Sequence, residues 1–243
     1  LTVYDPVLTV AERDQVASTW LDRARSEEIA ALRFRRLAVE LKTLGTHSKV
    51  LELTQNAVGE EEEHAVICQQ MAERYGADHA HRADPHHAKA LAPDTLGRED
   101  ALLFEMVAYC CLTESLNAAL LLEITQKAMN PEIRSATQTI LKDEVHHSQM
   151  GWAHLSWCRA QGKGAFITEA LPYMLSQTGA RELGLHETHL LESSGLLAHG
   201  ELPLQDRKNL FHRVIHQIFF PGLVHAKIAP DQGLAWMEQN FTV

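Results

Sequence analysis

Two short segments, Glu61-Glu62-Glu63-His64 and Glu144-Val145-His146-His147, constrain this chain more than any other part of it. Each sets a carboxylate and an imidazole one helical turn apart, on the same side of a helix. Around the first, residues spaced by three and four read Val50, Leu53, Ala57, Glu61, His64, Cys68, Met71, Tyr75. Around the second they read Ile133, Ala136, Ile140, Glu144, His147, Gly151, His154, Cys158. Such stripes face a core, where a carboxylate and an imidazole are costly unless something pairs with them.

Two further stripes each carry one acid. One reads Leu103, Val107, Cys110, Glu114, Ala118, Leu121, and the other Val16, Trp20, Ala24, Glu27, Ala31, Phe34, Ala38, Leu41. The second offers two adjacent carboxylates. Glu27 lies nearer the centre of the stripe than Glu28 on a helical wheel, and Glu28 stays as the alternative. Two Glu-x-x-His motifs, each with an inward Glu on the helix before it, make the ligand set of a carboxylate-bridged two-metal site within a four-helix bundle.

Composition agrees with helices. Leu and Ala dominate, Val and Ile are sparse, and aromatics make up only 6% of 243 residues, which favours helix over sheet. The expected architecture is all-α in one domain: a four-helix bundle over 9–160 and a helical extension over 161–243. Helix A runs from a capping box at Thr9 and Glu12 to about Leu44, where Gly45 stops it. Helix B runs from about Ser48 to Tyr75, stopped by Gly76. A long loop with Pro85 and Pro93 crosses to helix C, from Arg98 to Ala128. Helix D follows Asn130-Pro131 and ends before Gly162. A fifth helix is expected over Phe166 to Thr178, with a possible kink at Pro172, and a sixth from Leu204 to Phe220, broken by Pro221.

Four carboxylates and two imidazoles suit Fe(II) or Mn(II), and four negative charges offset two dications. The expected roles are Glu61 and Glu144 bridging, Glu27 and Glu114 terminal, and His64 and His147 one on each ion. The residue before each motif Glu is also acidic. Metal-bound His residues commonly give their second N–H to a carboxylate, so Asp143 is expected on His64 and Glu60 on His147, across helices. The formal charge of −10 repels phosphate backbones and argues against nucleic acid. No uninterrupted apolar run nears the ~20 residues of a membrane span. Cys68, Cys110, Cys111 and Cys158 form no Cys-x-x-Cys and read as reduced core thiols of a cytoplasmic protein.

The order Glu, Glu-x-x-His, Glu, Glu-x-x-His resembles the ferritin-like superfamily over about Thr9 to Ala160. Glu27 with Phe34 seven residues on is similar to the first helix of ferritins, and Asp143 to His147 followed by Gly151-Trp152 to bacterial ferritin-like domain proteins. Classical ferritins lack the second Glu-x-x-His, and rubrerythrins carry a Cys-x-x-Cys domain that this chain does not have. The symmetric two-His set is similar to the oxygen-activating members, including aldehyde-deformylating oxygenases.

That resemblance implies a di-iron oxidoreductase, an oxygenase or oxidase, with two Fe ions (Mn or mixed Mn/Fe as variants). It would use dioxygen, a small organic substrate and an external electron donor, and a homodimer is expected. Iron handling, as a ferroxidase or in peroxide detoxification, is the second reading. The resemblance also takes in ribonucleotide reductase small subunits, whose radical would need a Tyr near the metals, and Tyr109 and Tyr75 are not evidently placed for it. His79, His81, His86 and His87 crowd the crossover loop and read as solvated, with a second metal site as the alternative. His154 reads as a core His or a relay group. His186, His189, His199, His212, His216 and His225 read as surface or packing residues.

Overall fold

The computed structural model describes residues 7–78, 88–180, 183–185, 191 and 193–241. These residues are all-helical, with no strand among them. Four long helices dominate: α1 (Val10–Thr43), α2 (Ser48–Arg74), α3 (Arg98–Lys127) and α4 (Pro131–Ala160). Beyond them come α5 (Ile167–Met174), running into a π turn at Leu175–Gly179, and α6 (Ser194–Ala198). Next is α7 (Leu204–Val214), which continues through a π turn (Ile215–Phe219) into Phe220–His225. The last is α8 (Asp231–Asn240).

The helix ends follow local chemistry. At the start of α1, Thr9 Oγ1 accepts from the Glu12 amide and the Glu12 carboxylate accepts from the Thr9 amide, closing the expected capping box. Asn130 caps α4 and Pro131 occupies its first turn. Gly45 and Gly76 stop α1 and α2 at φ of 65° and 94°, where a side chain would be strained. An imidazole caps α2: His47 Nδ1 accepts from the Lys49 amide.

Short connections make α1 and α2, and α3 and α4, antiparallel neighbours. α2 also packs along α4, so the two motif-bearing helices face each other. Trp20, Phe34, Leu37 and Leu41 of α1 are essentially inaccessible to solvent. The segments after α4 cover the other side of α3. Phe104, Leu112 and Leu116 of α3 join Leu171, Met174, Phe211, Ile215 and Phe219 in one core cluster. The apolar face of α7 and of the π turn after it therefore covers α3. Buried on both sides, α3 is long and apolar enough by composition to cross a membrane, although most of its surface is inside the protein. Scattered polar residues break its apolar run without lowering its mean hydropathy much, so no uninterrupted run marks it in the sequence.

Three expectations are corrected. Helix C is not a continuous α-helix: Met106–Thr113 is a π-helical segment that ends at Glu114. Thr113 Oγ1 donates to the Ala108 carbonyl five residues back, and Ser115 Oγ donates to the Cys111 carbonyl while lying 2.7 Å from Ser148 Oγ of α4. The Thr113 bond spans five residues, the reach of the widened turn, whereas the Ser115 bond is the ordinary four-residue back-bond of a helical Ser. Second, Pro221 does not break the sixth helix. The chain stays helical to His225, because the π turn just before it shifts the hydrogen-bond register and the missing N–H does little harm. Third, α8 was not expected at all. Pro172 lies inside α5, whose helix runs on into the π turn.

Candidate metal centre

Six side chains from the four long helices converge in the interior. Ligand atoms of Glu27, Glu61, His64 and Glu144 lie within 4.8 Å of one another, and so do those of Glu61, Glu114, Glu144 and His147. The two groups share Glu61 and Glu144. All six predicted donors are thus brought together, and Glu27, not Glu28, is the contributor from α1. Glu61, His64, Glu114, Glu144 and His147 are buried, with 2% exposure or less; Glu27 is partly buried.

The imidazoles are held in a defined sense. His64 Nε2 lies 3.3 Å from Asp143 Oδ2, and His147 Nε2 lies 2.9 Å from Glu60 Oε2. This is the cross-helix pairing expected from the sequence. A carboxylate only accepts, so each Nε2 carries the hydrogen, and in the neutral ring Nδ1 keeps its lone pair. Both Nδ1 atoms point at the carboxylates: His64 Nδ1 is 3.4 Å from Glu61 and 3.7 Å from Glu144, and His147 Nδ1 is 3.1 Å from Glu61 and 3.4 Å from Glu144. A lone-pair nitrogen and a carboxylate both only accept, so none of these is a hydrogen bond. Both Glu61 oxygens, Glu144 Oε2 and both Nδ1 atoms are buried without a hydrogen-bond partner among the described residues. Buried polar atoms are nearly always satisfied. Five orphans aimed at one small volume fit cations that complete the set, and this buried Glu/His cluster could hold metal ions.

Electrostatics say the same. Burial lifts Glu27 well above the usual carboxylate range, and the negative charge of Glu61 adds to it. Burial also raises Glu61, against the pull of His147. Glu144 is raised to about 7, by burial first and then by Glu61. Burial opposes charge on His147, but the carboxylates of Glu144, Glu60 and Glu61 outweigh it and hold the ring well above the ordinary His range. Glu60 in turn is lowered by its bond to His147. Without cations the cluster must store protons to limit its repulsion, and a cation displaces them.

One buried charge group was missed. Glu105 of α3 accepts from Arg33 of α1 at 2.5 Å and is also paired with Arg36, while Arg33 donates to the Lys89 carbonyl at 2.9 Å. The available signal was a lone acid in the apolar run Leu102-Leu103-Phe104-Glu105-Met106-Val107. Arg33 also lies over the Tyr109 ring at 4.9 Å. Tyr109 meets Phe34 edge-on at 5.5 Å, and Phe34 packs 5.1 Å from the His147 ring. Tyr109 is thus one ring removed from a cluster His, closer than its spacing suggested. Tyr75 instead bonds His199 Nδ1 at 2.8 Å.

His154 is a core residue. Its Nε2 is 3.5 Å from Cys158 Sγ, its ring stacks on Trp157, and its Nδ1 has no hydrogen-bond partner among the described residues. All four cysteines are free and buried. Trp152 and Trp157 are partly buried against the core. His212 and His216 are partly exposed, His225 is exposed, and His199 is buried. His79, His81, His86, His87, His186 and His189 lie outside the described residues.

No family model matches the chain, and comparison with curated proteins and with solved structures finds no match.

Proposed function

We propose that this chain is an O2-dependent oxidoreductase with a ferritin-like four-helix bundle at its centre and two iron ions held by Glu27, Glu61, His64, Glu114, Glu144 and His147. One observation carries the reading: two overlapping donor groups share two carboxylates, and each contains one inward Nδ1. Two ions sharing Glu61 and Glu144 would each gain a terminal carboxylate and an imidazole. Bound iron would supply the redox chemistry that dioxygen activation requires.

The chain's own groups do the rest. Asp143 and Glu60 fix the two ring planes and keep Nε2 protonated. Phe34, Met106, Cys110 and Met150 pack in one apolar cluster beside the donors, and the segments after α4 seal the far side of α3, so bulk water is kept out. Electrons and any organic substrate come from outside.

Iron handling is the second reading, and one observation favours it. The outer carboxylates Glu60 and Asp143 keep 35% and 22% side-chain exposure, which makes an acidic approach to the cluster.

The test is anaerobic loading of the metal-free chain with Fe(II), elemental analysis, and then exposure to O2. Two irons per chain with fast O2-dependent oxidation are expected. Fewer than two, or oxidation no faster than in a Glu61→Ala variant, overturns the proposal. Repeated O2 uptake that needs a reductant and an organic compound marks the enzyme; a single round that leaves ferric product marks iron handling.

A further inference from the structure

We propose that His212 and His216 form a surface site for one borderline divalent ion, such as Zn2+, separate from the interior cluster and independent of the function proposed for it. The two residues sit four apart on α7, both partly exposed. Their ring centroids are 4.3 Å apart, with the planes inclined at 39°. Zn–N bonds are about 2.0–2.1 Å, so two nitrogens on one tetrahedral ion stand about 3.3 Å apart, a spacing these neighbouring rings reach by a small outward rotation.

The backbone creates the alignment. A π turn begins at Ile215, between the two residues. Its wider turn brings side chains four apart more nearly in line than an α-helix does. Phe220 then stands 5.5 Å from the His216 ring at 89°, buttressing its plane. Burial, and then the neighbouring His212, lower the pKa of His216, so its lone pair is available at neutral pH.

The donor set fixes the class of ion. Two imidazoles without a carboxylate select Zn2+, Cu2+ or Ni2+ over Mg2+, Ca2+ or Mn2+. The interior cluster has the opposite bias, with four carboxylates to two imidazoles. Among the described residues no third His, Cys, Asp or Glu completes the pair into a closed group. Water would therefore fill the remaining positions, and the ion would stay open to a further ligand.

The experiment titrates Zn2+ into the full-length, chelator-stripped chain, against a chromogenic competitor. His212→Ala, His216→Ala, the double variant and His225→Ala run in parallel, with circular dichroism as the check on fold. Wild type and His225→Ala should bind one more Zn2+ equivalent than the others. Each single substitution should weaken that equivalent by about a hundredfold, because either loss destroys the chelate, and the double variant should lose little more. If either single variant keeps the wild-type stoichiometry and affinity, the site does not exist. A loss that tracks reduced helicity is resolved with His212→Gln and His216→Gln, which keep size and polarity; full Zn2+ binding by those folded variants equally overturns the proposal.

Discussion

His147 of α4 reaches across to α2 and places Nε2 2.9 Å from Glu60, the residue just before the shared donor Glu61. One helix thus supplies both a group the ion would bind and a group that aims the opposing imidazole. Asp143 and His64 repeat the arrangement in the other direction at 3.3 Å. Removing either outer carboxylate frees a ring without removing a donor. Glu60→Ala and Asp143→Ala should each weaken metal affinity about 10–100-fold, measured by chelator competition, with helicity unchanged.

The donors should separate by stoichiometry. Glu61 belongs to both groups, whereas His147 belongs to one. Glu61→Ala is expected to lose both ions, and His147→Ala to keep one per chain, by elemental analysis. Equal losses would show that the two groups do not act as a pair of overlapping sites.

Metal should also stabilise the fold. The raised carboxylates mark repulsion and desolvation that bound cations would relieve. Fe(II) or Mn(II) in excess should raise the melting temperature of the full chain, and do so progressively with concentration. The shift should vanish in Glu61→Ala.

His154 supplies a pH dependence. Burial depresses its folded pKa to about 4, below the ordinary 6.5. The unfolded chain therefore binds the proton first. Stability from the neutral ring is complete above about 6.5 and is lost as pH falls toward 4. Between pH 7.5 and 4.5 the loss is about 2–3 kcal/mol. Urea titrations of wild type and His154→Leu at both values should show that difference in pH sensitivity.

Gly151 faces the widened segment of α3. A Cβ there would stand 2.6 Å from Cys110 Cβ and 2.8 Å from the Cys111 nitrogen. Backbone cannot yield as a flexible side chain can. Gly151→Ala should destabilise the fold by about 1–3 kcal/mol and, because Glu114 follows that segment, weaken metal binding too. Calorimetry and chelator competition check the two effects.

The converging donors were legible because a charged pair on an apolar stripe stands out against its period. The Glu27 choice and the Asp143 and Glu60 partners followed from angles and offsets within single helices. The π segment was not legible, since Met106 to Leu112 contains no charged residue to mark the register, and a widened turn leaves no trace in such a run. The pairing of Glu105 with Arg33 and Arg36 joins residues some seventy positions apart, which no local pattern encodes. The short α8 follows a proline and a loop and offers too few turns for periodicity to show.

The Arg33–Glu105 contact lashes α1 to α3 with charges that owe nothing to an ion. Glu27 and Glu114 ride on those same two helices, so their separation is set by a strut that endures when the cluster is empty. Such a socket, if it holds cations as proposed, would refill without having to refold, and its occupancy would follow the supply of cation around it rather than the moment of synthesis.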